Sequence, residues 1–349
     1  MDFTVAGLVV ILLLVLTLPF AVKLVEEQLE AFLFVMGIAA ALISGMMTKS
    51  LIMDALQHPI PIATAVFIAG ALFYVFKDKF QAFMSKVLES IPLSVVVFLV
   101  VVLLGLLSSI ITAIIAAIVL VEIIFLLPLE RKNKIVVVIL SCYSIGLGAA
   151  LTPIGEPLST ITIAKLNEDF FYLLRLLGKF IIPGVVGFGL LAGLYTARAA
   201  KGQGQATLDD SIADDPEVEK ETWAGITIRA LKVFLFVMAL TFLGQGFTPL
   251  IDKYILTLDY RLLYWVNSIS AVLDNATLAA AEISNKMSIM QIEAILMGLI
   301  IAGGMLIPGN IPNIIAASKL KITSTEWAKI GLPIGVITMA LFYVILFVI

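Results

Sequence analysis

Apolar residues run in long blocks along this chain, separated by short polar stretches, and the blocks are of two kinds. Residues 5–22, 31–47, 60–76, 171–197, 224–250 and 330–349 are uninterrupted. About 20 mostly apolar residues cross a bilayer as a helix, so each predicts a membrane helix. The other blocks are interrupted. Residues 91–129 carry Ser108, Ser109 and Thr112 in the middle, and residues 262–283 carry Asp274 and Asn275. Residues 135–166 are broken at Thr152-Pro153-Ile154-Gly155-Glu156-Pro157, and residues 289–320 at Pro308-Gly309-Asn310-Ile311-Pro312.

Two prolines and a glycine this close cannot continue a helix, because amide donors are missing and the rings clash with the preceding turn. Irregular backbone at membrane depth survives only where protein or a water-filled cavity satisfies it. The two breaks are therefore candidate binding sites.

The broken blocks are also similar to one another. Gly155 to Leu166 aligns without a gap on Gly309 to Leu320, placing Lys165 on Lys319. Each segment is preceded by a leucine and a proline, Leu151 and Pro153 in one, Leu306 and Pro308 in the other. Each is followed by an apolar helix with a matching phrase, Ile182-Pro183-Gly184-Val185 and Leu332-Pro333-Ile334-Gly335-Val336. Upstream, Ser108 to Thr112 can be laid on Ser270 to Asp274. The order helix, interrupted hairpin, broken helix, helix thus occurs twice. It predicts additional N-terminal membrane helices at 1–58, a first repeat at 59–197, a solvated linker at 198–222 and a second repeat at 223–349. The linker carries Gly202, Gly204 and a run of acidic residues.

Composition fits a membrane chain. Hydrophobic residues make up 61% and charged residues 13%, against roughly 45–50% and 25% in soluble proteins, and the mean hydropathy is +1.13. Lipid is then the solvent for most of the 349 residues. The net charge of -3 is uninformative about partners, and no basic arm points to nucleic acid. The first apolar block follows Asp2 instead of a positive region and is expected to remain as a membrane helix. If the blocks at 91–129 and 262–283 are re-entrant hairpins and the broken blocks cross, one side collects about twice as many Lys and Arg as the other, Arg131, Lys132, Lys134, Lys319 and Lys321 among them. The positive-inside rule makes that side cytoplasmic and puts both termini outside. Two full spans at 91–129 would leave this sidedness unchanged. The first hairpin then enters from inside and the second from outside, so the repeats are inverted. Paired helix interruptions in inverted repeats are the mark of alternating-access transporters. The expected fold is an all-α polytopic membrane protein with two inverted repeats, each holding a re-entrant hairpin and a broken transmembrane helix.

Ionisable groups at membrane depth cost several kcal/mol unless they face a cavity or a partner. Asp274 lies among Ser268, Ser270 and Thr277, and Glu156 lies in the first break near Thr152, Ser159 and Thr160. The bland alternatives are a hairpin tip that reaches water for Asp274 and a helix N-terminal carboxylate for Glu156. The place equivalent to Glu156 holds Asn310. Carboxylates, amides, hydroxyls and freed carbonyls together suit a hard cation such as sodium. Glu122 and Glu282, in the second arms of the hairpins, read first as packing or interfacial carboxylates, with a proton path as the alternative. Lys165 and Lys319 read as snorkelling cations. An intramembrane aspartyl protease needs two embedded aspartates, whereas only Asp274 sits inside an apolar block. His58, the sole histidine, and Cys142, the sole cysteine, leave little for a catalytic or metal centre. An enzyme is not expected, and no cofactor beyond a transported or coupling sodium ion.

The phrase Val272-Leu273-Asp274-Asn275-Ala276-Thr277 resembles the hairpin motif of D-type bacterial sodium/proton antiporters. The phrases Thr152 to Pro157 and Gly309 to Asn313 resemble the two helix breaks of those antiporters. All belong to the ion transporter superfamily, which also holds divalent-anion/sodium symporters as more distant relatives. The resemblance covers roughly residues 60 to 349 and points to a prokaryotic branch. It implies a homodimer in the inner (cytoplasmic) membrane, with scaffold and transport domains and the site between the hairpin tips and the breaks. By match, Asp274, Asn275, Thr277, Glu156, Thr152, Asn310 and Asn313 form the cation site, with Asp274, Asn275 and Glu156 as the sodium ligands. The sequence departs from the pattern in its first hairpin, where Ser108, Ser109 and Thr112 stand in place of an acidic or amide motif and are the candidate ion-binding residues. It departs again at Glu156-Pro157, where dicarboxylate carriers have a polar amide pair. A fixed anion at Glu156 favours sodium/proton exchange, with sodium-coupled symport of a carboxylate or inorganic anion as the alternative and a passive channel behind both.

Overall fold

The structure is a computed structural model and describes residues 3–202, 222–254, 258–273, 275–283 and 287–348. Among these, all regular structure is helical. Six helical stretches are long and apolar enough to cross a membrane: Lys49–Ile68, Leu93–Ile111, Arg131–Ala149, Tyr172–Ala200, Trp223–Leu250 and Ser324–Phe347. The chain is an all-α, multi-pass membrane protein. Of the linker expected at 198–222, residues 203–221 lie outside the described residues, as does Asp274; residues 198–202 continue a helix.

The N-terminal part holds α1 (Phe3–Ala21), α2 (Lys23–Glu27), α3 (Leu29–Ile43), α4 (Lys49–Gln57) and α5 (Pro59–Ser90). Helix α5 runs well past the apolar block at 60–76, because the Lys, Gln, Ala, Met and Glu residues beyond it are good helix formers without being apolar. Next come α6 (Leu93–Ile111), α7 (Ala113–Leu126), α8 (Arg131–Ala149), α9 (Pro157–Leu166) and α10 (Tyr172–Gly202). Beyond the linker lie α11 (Trp223–Tyr254), α12 (Tyr260–Val266), a 3₁₀ turn (Asn267–Ala271) and α13 (Asn275–Glu282). The chain ends with α14 (Ile289–Gly303), a second 3₁₀ turn (Ile307–Gly309), α15 (Ile311–Leu320) and α16 (Ser324–Phe347).

Each interrupted block thus resolves into two shorter helices. At 1.5 Å per residue the 14 residues of α7 rise about 21 Å and the 10 residues each of α9 and α15 about 15 Å. None of these alone matches a hydrocarbon core of about 30 Å. Helix α7 turns back from α6 and packs on it.

Helix α8 is 89% buried over its span although it opens on Arg131, Lys132, Asn133 and Lys134, and α14 is buried continuously from Ile292 to Gly303. The other elements are arranged around these two. Helix α6 packs on α8 and α10; α12 with its 3₁₀ turn packs on α14, and α12 also touches α16. Across the halves, α7 packs on α15 and α13 packs on α9. The N-terminal helices sit to one side, with α3, α4 and α5 against α11 and α1 against α3. In the connection from α9 to α10, Arg175 and the backbone N–H of Phe171 hold the Asp169 carboxyl below the ordinary carboxylate range.

Candidate functional site

The two helix breaks share several features at matched positions, although only the second forms a 3₁₀ turn. Glu156 (φ -156°, ψ 159°) and Asn310 (φ -153°, ψ 145°) are the extended N-caps of α9 and α15, each followed by a proline in the first turn. Asn167 (φ 54°) and Lys321 (φ 48°) end those helices in the left-handed conformation. Inside the breaks, Gly155 N donates to Thr152 O at 3.2 Å and Gly309 N donates to Leu306 O at 3.3 Å. A side chain fits at neither glycine: a Cβ on Gly155 would overlap Ala149 O, and one on Gly309 would lie 2.5 Å from Gly303 O. The hairpins are anchored equivalently. Ser108 Oγ donates to Ile145 O at 3.1 Å, and Ser270 Oγ donates to Leu299 O at 2.8 Å. Glu156 with Asn310, Gly155 with Gly309 and Ser108 with Ser270 are pairs that the sequence alignment matches; the others extend it beyond its ends.

Four segments far apart in sequence meet around one cavity of about 380 Å³. Thr112 and Ala113 come from the first hairpin, and Pro153 to Leu158 with Thr160 come from the first break. Asn275 and Ala276 come from the second hairpin, and Gly309 to Ile311 from the second break. Thr112 stands at φ 75°, ψ 148°, a conformation reserved almost entirely for glycine. Its hydroxyl accepts from Ile115 N at 3.3 Å and so caps α7. Ala113 N donates to Gly155 O at 2.9 Å, tying the hairpin tip to the first break.

The residues read from the sequence divide into two groups. Thr112, Glu156, Asn275 and Asn310 line the cavity. Glu156 is buried, and Asn275 is buried with Oδ1 making no hydrogen bond. Ser108, Ser109, Thr152 and Asn313 do not line it. Their donors serve the backbone: Ser109 Oγ donates to Leu106 O at 2.7 Å and Thr152 Oγ1 to Ser109 O. Asn313 Nδ2 lies 2.8 Å from both Gly303 O and Leu306 O. These four clamp the cavity wall from behind. Thr277 contributes its backbone to the first turn of α13, its side chain lying outside the description, and Asp274 directly precedes α13.

Among the described residues no three His, Cys, Asp or Glu gather as a metal cluster. A cation held here would rest on the Glu156 carboxylate, the Asn275 and Asn310 amide oxygens and the backbone carbonyls freed by the breaks. This oxygen set suits a hard cation.

Two polar arrangements link the halves beyond the cavity. Lys319 does not snorkel; its side chain is 8% exposed and its Nζ lies 3.2 Å from Glu122 Oε1, joining α15 to α7. Lys165, which the sequence alignment places on Lys319, donates to Ile283 O at 3.3 Å, at the end of α13. Asn267, which the sequence reading did not single out, donates through Nδ2 to Glu282 Oε2 at 2.9 Å. An amide inside an otherwise apolar block was the available signal.

A family model described as "Protein of unknown function (DUF1646)" matches residues 5–349. No curated protein matches the chain.

Proposed function

We propose that this chain, which belongs to the DUF1646 family, is a secondary transporter that exchanges sodium or lithium for protons by alternating access. On this reading residues 59–197 and 223–349 are inverted repeats, and the hairpins α6–α7 and α12–α13 are re-entrant. The protein lies in the cytoplasmic membrane as a homodimer with both termini outside. The observation that carries the proposal is the convergence of both hairpins and both helix breaks on one cavity. Conformationally matched breaks and mate-for-mate hairpin anchors support the repeat, and short helices that cannot span alone support re-entry.

The chemistry follows from the lining. A desolvated sodium ion needs several oxygen ligands at short range. Glu156 and Asp274 supply charge, and Asn275, Asn310 and the broken backbone supply neutral oxygens. A carboxylate taken out of water with no cation present favours its acid form, so cation and protons compete for the same oxygens. That competition is the exchange. Inverted halves that rock around the cavity open it first to one side and then to the other.

One observation favours the symport alternative: about 380 Å³ falls in the range of small-molecule pockets and exceeds what a bare cation needs. The first turn of α15 also reaches the cavity, and its N-cap is neutral Asn310 where α9 has Glu156. A helix N-terminus of that kind attracts anions. Against this, no Lys, Arg or His lines the cavity among the described residues. Sodium flux in proteoliposomes, measured with and without an imposed pH gradient, separates the readings. Exchange predicts sodium uptake driven by outward protons alone, while symport predicts uptake only when a carboxylate or inorganic oxyanion is added.

A further inference from the structure

The hairpin carboxylates Glu122 and Glu282 occupy similar places in α7 and α13, and the repeat-mate lysines Lys319 and Lys165 both reach across to those arms. The outcomes differ. Lys319 forms an ion pair with Glu122, so that carboxylate is matched by a buried cation. Lys165 instead donates to the carbonyl of Ile283, and Glu282 is bonded to the neutral amide of Asn267.

Glu282 is 1% exposed and Asn267 is fully buried. Glu282 Oε1 and Asn267 Oδ1 both make no hydrogen bond, although the same two side chains are already joined at 2.9 Å through Oε2 and Nδ2. Two orphaned acceptors on one pair are costly, each by roughly 1–3 kcal/mol. A single proton on Oε1 removes the net charge and supplies the donor that the pair lacks. A carboxylic acid can donate where a carboxylate can only accept.

Among the described residues the surroundings offer little else to balance a carboxylate; Lys286, four residues further on, lies outside them. The helices packed on α13 are α9, α11 and α14. From α9 comes Lys165, engaged as above. Helix α14 carries Glu293, paired with Lys179 at 3.2 Å, and α11 carries Lys232, paired with Glu30 at 3.6 Å. The side chains of Arg229, Asp252 and Lys253 on α11 lie outside the description, and Arg261 at the start of α12 is exposed.

We propose that Glu282 is a proton-binding carboxyl of the transport cycle, held in its acid form by burial and releasing its proton to water when the second hairpin moves. The step is an acid–base exchange in which the Oε1–H bond breaks, water takes the proton and a carboxylate remains. That carboxylate repels Asn267 Oδ1 and destabilises the packing of the hairpin on α14. Glu282 and cavity-lining Asn275 lie seven residues apart on α13, hence on one face and about 10 Å apart along the axis. Helix α13 thereby connects the proton to the cavity. The role in turnover rests on the exchange reading above; protonation of the pair does not.

Infrared difference spectroscopy of the purified full chain, titrated between acid and alkaline buffer, tests protonation directly. A protonated-carboxyl C=O band lost in Glu282→Gln and displaced in Asn267→Leu is expected. A band unchanged in Glu282→Gln overturns the assignment. Glu282→Gln keeps the neutral form but cannot release a proton, so it is expected to fold and to lose both cation-driven proton flux and its pH dependence; Glu282→Asp keeps the titrating group and restores them. A folded Glu282→Gln with a wild-type pH profile overturns the role in turnover. Should wild-type protein exchange no cation for protons, the exchange reading fails while the infrared result still decides the proton site.

Discussion

The Lys319–Glu122 pair allows a quantitative test of how the two halves are held together. Both side chains are nearly buried, at 8% and 12% exposure, and the atoms are 3.2 Å apart. Removing one member of such a pair leaves an unmatched buried charge and typically costs about 3–5 kcal/mol, whereas replacing both by apolar groups is often neutral. Lys319→Met leaves a carboxylate that can take up a proton, so its loss is placed at about 3 kcal/mol. Glu122→Leu strands an ammonium group and falls in the same range. The double variant Glu122→Leu/Lys319→Met is expected within about 1 kcal/mol of wild type, giving a coupling of several kcal/mol in a double-mutant cycle. Unfolding of the purified full chain in detergent, titrated with a denaturing detergent, supplies the four free energies. If each single variant costs under about 1 kcal/mol, as for exposed pairs, or if the double variant costs as much as both singles together, the reasoning is wrong.

Asp274→Asn is expected to abolish cation-driven proton flux while the protein keeps its gel-filtration profile; wild-type flux from folded Asp274→Asn removes that residue from the site. Gly155→Ala and Gly309→Ala force a Cβ onto backbone carbonyls that cannot yield, so both should reduce the yield of folded protein in detergent, and normal yield with normal thermal stability contradicts the packing described. At Thr112 the left-handed conformation costs about 1–3 kcal/mol. Thr112→Gly should therefore be neutral or stabilising in thermal unfolding, while Thr112→Val, which keeps the strain and loses the cap, should destabilise by about 1 kcal/mol; the reverse order refutes the strain.

Much of this arrangement is legible in the sequence because the relevant signals are local. Proline pairs and glycines mark the breaks at residues 152–157 and 308–312, and polar residues inside apolar blocks mark the hairpins. The gapless match of Gly155 to Leu166 with Gly309 to Leu320 anticipates paired backbone geometry down to the left-handed residues Asn167 and Lys321. Long-range partnership is not legible. Nothing local tells that the hydroxyls of Ser108, Ser109 and Thr152 are spent on backbone carbonyls while Thr112 faces the cavity. Hydropathy reads Lys319 as an interfacial cation, since its match to Glu122 depends on α7 crossing to α15. Asn267 escapes for the same reason, its partner being 15 residues ahead across a turn. The extension of α5 beyond its apolar block shows that helix propensity continues where membrane hydropathy stops.

The central claim, exchange of cations for protons, is tested most directly by proton flux in proteoliposomes holding the purified protein and a pH-sensitive dye. Sodium, lithium and potassium are added in turn across a preset pH gradient. Dye dequenching on sodium or lithium that vanishes in Asp274→Asn is expected. No response to any of the three cations from protein shown to be folded would contradict it.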